Sequence, residues 1–456
     1  MERINAWTTY GKREEKKVMD LGKAYRAFLD RGKTERECVR ETVARARQAG
    51  YADLSEAKSL RPGDRVYVNT MDKSIQLYIL GQEPLEAGLN IVGAHIDSPR
   101  LDVKQNPLYE DSELAYLDTH YYGGIKKYQW VTLPLALHGV VAKKDGTLVD
   151  VVVGEDEEDP VVGISDILIH LAAAQMEKKG SVVIEGEALD VIVGGKPLKG
   201  ADKTPVKAAV LGLLQEKYGM EEEDFLSAEI EVVPAGRSRD FGLDRSMILG
   251  YGHDDRVCAF AQIEAMLRIA DTPKYTCCCI LTDKEEIGSV GATGMQARYF
   301  ENALAEIMEK AEGYSELKLR RALQNSRMLS CDVSAGFDPS YASCFEKKNA
   351  AFLGRGVCFN KYVGSRGKRV CNDANAEYIG KLRAIMDDNG VNFQTAELGA
   401  VDVGGGGTIA AFCARYGMSV IDSGVPVLSM HAPWEVISKA DLYEAMRAYN
   451  TFLLNA

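Results

Sequence analysis

Five signals along the chain carry acids or histidines of the kind that hold metal: His95-Ile96-Asp97, Asp254-Asp255, Glu285-Glu286, Asp332 and His431. Imidazole nitrogen mixed with carboxylate oxygen, and no cysteine among them, is a donor set for hard or borderline divalent ions. Two such ions about 3.5–4 Å apart need roughly six ligands, one of them a carboxylate able to bridge. The chemistry expected is hydrolysis, with a water acidified by the ions' charge and a carboxylate beside it to take the proton.

Residues this far apart must be brought together by the elements before them. Leu89–Ala94 precedes His95, Cys277–Leu281 precedes Glu285, and Met328–Cys331 precedes Asp332. Short unbroken apolar runs suit strands buried on both faces of a mostly parallel sheet, and such sheets collect ligands at the carboxyl ends of their strands. An α/β fold with helices on both faces is therefore expected, with all three signals on one edge. Each signal also has an ordinary reading. Asp254-Asp255 opens an expected helix, Val257 to Ile269, where a carboxylate could cap free amides, and Glu285-Glu286 could be a solvated face. Against the latter, the glycine-rich Ile287–Gly294 follows directly, which places the two acids at a tight turn. In a strand-like i, i+2 arrangement Asp97 faces the same way as His95 and can accept its imidazole proton, fixing the metal-binding tautomer.

These stretches resemble the aspartyl aminopeptidase and aminopeptidase I family of co-catalytic zinc metallopeptidases. The matching pieces are Gly93–Arg100, His253–Arg256, Thr282–Gly288, Ser330–Ser334 and Ser429–Pro433, in the family's order, and the resemblance runs from about residue 15 to the C-terminus. It implies that His95 and Asp332 bind one ion, that Glu286 and His431 bind the other, and that Asp254 bridges. Glu285 is then the general base, and Asp97 joins the catalytic residues through its hold on the His95 imidazole. The family has Asn after its bridging Asp where this chain has Asp255, so either residue of the doublet stays open as the ligand. Zinc is the implied metal, with cobalt or manganese accepting the same donors.

The glycine run Gly404–Gly407 lacks the Gly-Lys-Ser/Thr ending of a phosphate loop and the acid of a dinucleotide fingerprint. The resemblance places it near the substrate's N-terminus, ahead of an expected helix from Ile409 to Arg415, with Gly405 and Gly406 as substrate-binding candidates; a plain structural turn is the other reading. The basic stretch Asn360–Arg369, with Lys361, could receive an acidic first residue, although a basic surface loop looks the same. Acidic and neutral first residues both stay open.

At 456 residues the chain exceeds the span of about 250–300 over which one core grows, so two domains are expected. A formal charge of −12 disfavours nucleic acid and anionic membrane, which need a basic footprint. No apolar stretch reaches membrane-span length and the N-terminus lacks an apolar signal region, which points to the cytoplasm. The ten cysteines show no CxxC spacing and read as reduced, small apolar residues.

Helices are expected at Glu14–Asp30 and Thr34–Gln48, and strands at Arg65–Asn69 and Ile75–Leu80. After Arg100 the texture changes, with strand-like segments at Trp130–Ala142 and Leu148–Val153, helical ones at Asp166–Lys178 and Pro205–Tyr218, and acidic loops at Glu155–Asp159 and Glu221–Asp224. None of the five signals falls there. Residues 1–100 and 234–456 are thus expected to form a discontinuous catalytic domain, and 101–233 an inserted β-rich domain for association or gating. In the resembled family this domain dimerises and helps build a dodecamer, and a similar His-Leu element reaches a neighbouring active site, which makes His170 a substrate-binding candidate; a core histidine and a lid on a monomer are the ordinary alternatives.

The expected substrate is a peptide with a free N-terminus. A two-metal deacylase of N-acyl amino acids and a non-catalytic cage-forming scaffold are the competing readings, and the second would not need Glu285 beside Glu286.

Overall fold

The computed structural model describes residues 3–201 and 203–456. The chain divides into two compact units, one of residues 1–97, 238–430 and 435–456, the other of residues 98–237 and 431–434.

The larger unit is built on a nine-stranded sheet. Its centre is four adjacent parallel strands, in the order Thr276–Thr282, Leu89–His95, Arg327–Cys331 and Ser419–Gly424. Antiparallel neighbours flank them, Ser74–Ile79 on one side and Val357–Asn360 on the other. The sheet is therefore α/β as expected but mixed at its edges. Alternate side chains of the central strands enter separate cores: Val92, Cys279, Leu329 and Ile421 meet helices Lys12–Arg31, His253–Leu267 and Lys439–Asn455 on one face, while Ile91, Cys278, Met328 and Val420 meet Tyr299–Glu312 and Glu316–Asn325 on the other. Burial on both faces is why these strands read as unbroken apolar runs. Helix Glu35–Gln48 starts on a capping box, Thr34 accepting from the Glu37 amide.

A second, five-stranded sheet in this unit is assembled from Arg239–Phe241, Met247–Gly250, Glu435–Ser438, Pro426–Leu428 and Ser334–Ala335. Strands of two to four residues carry too little periodicity to be read from sequence.

The smaller unit holds a six-stranded antiparallel sheet, in the order Leu148–Val153, Leu135–Ala142, Ala228–Pro234, Arg100–Asp111, Leu114–Tyr122 and Val191–Gly194. Helix Pro205–Tyr218 runs over the expected residues, with proline at its start and Gly219 at φ 63° closing it. Two expectations are corrected. The strand expected from Trp130 begins at Leu135, after a short turn at Lys127–Gln129. Asp166–Lys178 is not one helix but two fragments, Ile169–Leu171 and Ala173–Met176. Its apolar side chains are exposed, Leu168 by 55%, Ile169 by 70% and Leu171 by 68%, so no core fixes an amphipathic helix there. The acidic stretch Glu221–Asp224 is largely a short helical turn, Glu222–Ser227. Among the described residues no helix is long and apolar enough to cross a membrane.

Candidate metal centre

His95 ends its strand opposite Thr282 of the neighbouring parallel strand. On the other side Gly93 faces Ser330, so two residues further along Asp332 comes level with His95. His95 Nε2 lies 3.1 Å from Asp254 Oδ1 and 3.9 Å from Asp332 Oδ1. Asp254 arrives from the start of helix His253–Leu267, after Gly252 at φ 74°, across a cis Asp254–Asp255 peptide. His95, Asp254 and Asp332 can each present a ligand atom within 4.8 Å of the others, and in that group the doublet is represented by Asp254.

The other imidazole nitrogen shows how the ring is held. His95 Nδ1 is 2.9 Å from the Asp97 carbonyl and 3.3 Å from its carboxylate, while Nε2 faces the carboxylates of Asp254 and Asp332; acceptors on both nitrogens favour the charged ring, and a cation bound at Nε2 would replace the proton there while Nδ1 keeps its own on Asp97. The ladder runs one bond past the strand's end, Ile96 N donating to the Thr282 carbonyl, which keeps the chain extended. The Asp97 carboxylate also accepts from the amides of Glu285 and Glu286, each at 3.2 Å. These two acids sit on a single short turn, Glu285–Ile287, between Lys284 at φ 68° and Gly288 at φ 90°.

Burial works against the charge on His95, but the carboxylates of Asp254, Asp97 and Asp332 outweigh it and lift its pKa well above the usual imidazole range. Burial pushes Asp332 far up as well, helped by the charges of Asp255, Glu285 and Asp254 and opposed by His95. The fully buried Asp255 is raised by the same burial. Acids crowded into a buried place around one imidazole form a cluster short of positive charge, which a divalent cation fits.

His431 follows Ser429 at φ 61° and itself has φ 65°, a turn that non-glycine residues adopt only when held. Its Nδ1 is 2.8 Å from the Gly124 carbonyl and donates to it.

Sequence reasoning missed Glu435, a fully buried acid at the start of strand Glu435–Ser438 whose Oε2 accepts from the Asp254 amide at 3.1 Å. An acid opening an apolar strand just after the His431 motif was the available signal. His253 is not a ligand. Its Nε2 donates to the Ile248 carbonyl and its Nδ1 accepts from the Tyr25 hydroxyl at 2.7 Å, while burial lowers its pKa to about 3.

The substrate-binding candidates are placed less uniformly. Lys361 is exposed and faces Asp373 at 3.8 Å. Loops 361–370 and 398–408 pack together around a pocket of about 210 Å³ lined by Tyr362, Arg366, Lys368, Glu397, Asp402 and Gly404 among others, with Lys361 outside it. Gly406 N donates to the Val363 carbonyl. Gly405, at φ 127°, lies so close to Ser365 that a Cβ would stand 2.5 Å from its backbone. The helix behind the loop is shorter than expected, Ala410–Cys413 followed by a turn at Ala414–Tyr416. His170 is not a core residue; it is exposed on the fragment Ile169–Leu171 of the smaller unit.

The profile of the aminopeptidase I zinc metalloproteases (M18) matches residues 28–453. The chain belongs to that family. The probable M18 family aminopeptidase 1 of Clostridium acetobutylicum is 58% identical over 456 residues, 99% of this chain and 98% of the relative. The protein of that description from Thermotoga maritima is 45% identical over 99% of both chains. The crystal structure of the Thermotoga maritima M18 aminopeptidase superposes with a TM-score of 0.96 at 43% identity, and that of aminopeptidase I from Clostridium acetobutylicum with 0.93 at 57%, each over the full length of both chains. A structure described as the S. cerevesiae mApe1 dodecamer shares the fold, with a TM-score of 0.78 at 18% identity over 95% of this chain and 96% of that one. This M18 member is a metalloaminopeptidase, a hydrolase of peptide bonds.

Proposed function

We propose that the M18 chain removes single N-terminal residues from peptides with two divalent ions, zinc by preference. His95 and Asp332 would hold one ion, Glu286 and His431 the other, and Asp254 would bridge. The observation that carries this reading is the buried triad His95, Asp254 and Asp332, whose imidazole is anchored through Nδ1 on Asp97 and turns Nε2 toward the two carboxylates. When bound, the ions would supply a more acidic water and a polarised scissile carbonyl.

Glu285 is the base. It takes the proton of the attacking water and returns it to the leaving amine, a cycle that needs a carboxylate held still beside the reacting atoms. Asp97 fixes it by accepting the Glu285 and Glu286 amides while orienting His95. The pocket between loops 361–370 and 398–408 would take the substrate's first residue, with Gly405 and Gly406 letting backbone approach. Its wall carries Arg366 and Lys368 against Glu397 and Asp402, a balance that suits a neutral first residue as well as an acidic one. Lys361, paired with Asp373, would act at most on the rim.

The smaller unit would mediate homo-oligomerisation, through dimers toward a dodecamer, with His170 offered to a neighbouring copy. The exposed row Leu168, Ile169 and Leu171 supports this, because a segment this apolar is kept from water by a partner. Ten cysteines without a disulfide suit a reducing cytoplasm.

The test is hydrolysis of leucyl, aspartyl, glutamyl and lysyl p-nitroanilides before and after chelation, with zinc, manganese or cobalt restored. Chelation should abolish turnover and metal should restore it. Glu285→Gln should keep its metal and lose turnover by about 10²–10⁴-fold. A Glu285→Gln enzyme as fast as the parent would refute the assignment of the base.

A further inference from the structure

The turn that presents Glu285 and Glu286 is held from a second side, by a buried carboxylate that belongs to neither ion. Asp283 is almost fully buried at the end of strand Thr276–Thr282. Its Oδ1 accepts from the Lys284 amide at 2.8 Å. Its Oδ2 accepts from the Lys284 ammonium at 3.0 Å and from the Thr293 hydroxyl at 2.6 Å. Lys284 is thereby bent back on its own neighbour in the left-handed conformation, φ 68°, which is unfavourable for a side-chain-bearing residue and persists only where contacts impose it.

The returning chain closes over this arrangement. Ser289 N donates to the Lys284 carbonyl at 2.7 Å, and Gly291, at φ 115°, passes so near the lysine stem that a Cβ would lie 3.0 Å from it. Thr293 then reaches Asp283 with its hydroxyl, while its carbonyl accepts from the Ser74 hydroxyl at 2.6 Å. Ser74 Oγ in turn accepts from the Asp283 amide at 3.1 Å, which closes a ring of bonds through the neighbouring strand. Glu35, paired with Lys73 at 3.2 Å, and Asp97 are the other acids whose charges act on Asp283.

We propose that Asp283, latched by Thr293, is a positioning residue for the general base: it fixes the backbone one residue before Glu285 so that the base carboxylate stands where a proton can pass. The inference rests on the reading of Glu285 as base. Asp97 orders the amides of residues 285 and 286, whereas Asp283 and Thr293 order residue 284 and hence the direction in which the turn starts. Proton transfer falls off steeply when a base is misplaced by about 1 Å, while binding of substrate elsewhere is untouched.

Thr293→Val removes the hydroxyl and keeps the side chain's shape; Thr293→Ser restores the donor. In the metal-loaded enzyme, Thr293→Val should lower kcat by about 10–100-fold with KM and bound metal within about twofold of the parent, and the acid limb of the kcat/KM profile should move. Thr293→Ser should recover kcat to within about threefold. Amide exchange of residues 284–288 should quicken in the valine variant and return to normal in the serine variant, a readout independent of turnover. Asp283→Asn, which retains an acceptor for the Lys284 amide, should fall between them.

A valine variant with kcat within twofold of the parent overturns the proposal, as does one whose loss follows bound metal or is shared equally by the serine variant. Glu285→Gln separates this failure from that of the underlying reading, since it alone reports whether Glu285 is the base.

Discussion

Asp97 serves three groups at once, the His95 imidazole and the amides of Glu285 and Glu286. A side chain shared in this way couples ligand orientation to base orientation, so its removal should be felt in both. Asp97→Ala is expected to weaken metal affinity by about 10–100-fold, the usual cost of losing the partner of a ligating histidine. It should also lower kcat at saturating metal. Titration of the apo-enzyme with zinc, followed by kcat at full occupancy, measures the two effects separately. A variant with parental affinity would mean that His95 is oriented by the Asp97 backbone carbonyl alone.

At the level of elements, the strand Ser419–Gly424 ties two parts of the larger unit together. Ser423 accepts from the Asp332 amide, and Asp422 Oδ1 accepts from the hydroxyl of Thr408, which ends the glycine loop, at 2.6 Å. Burial raises Asp422 from 3.8 to about 7, against the pull of the Thr408 and Ser330 hydroxyls. The folded chain thus keeps a proton between about pH 4 and 7 that the unfolded chain has lost. Stability contributed by this group must therefore fall as pH rises across that window and level off above it. Asp422→Asn keeps the acceptor for Thr408 and cannot ionise, so its unfolding temperature should gain on the parent's between pH 5 and 8, by the equivalent of about 2–3 kcal/mol. Thermal unfolding at the two pH values decides it; a gain that shrinks with pH would show Asp422 to be a stabilising anion.

For the whole molecule, assembly is the open property, and the exposed row Leu168, Ile169 and Leu171 is where it is testable. Ile169→Glu places a charge where burial by a partner would have to desolvate it. Sedimentation should show the parent as a large assembly and the variant as smaller species, with the metal content of each chain unchanged. A parent that sediments as a monomer would remove the association role.

The sequence alone determined the α/β class, the strands that lead to His95, Glu285 and Asp332, and the family, because unbroken apolar runs followed by acids leave few other arrangements and the motif order is specific. Helix Pro205–Tyr218 and strand Leu148–Val153 were legible for the same reason, a clear period bounded by proline, glycine or acids. Tertiary structure decided which partner each side chain meets. Asp254 Oδ1 stands against His95 Nε2, Glu435 takes the Asp254 amide, and Asp283 reaches Thr293 ten residues on, since strand register, a left-handed turn and burial from distant segments set those contacts. The fate of Asp166–Lys178 was equally invisible: local pattern favoured a helix, and only the lack of an underlying core in this chain left it in fragments.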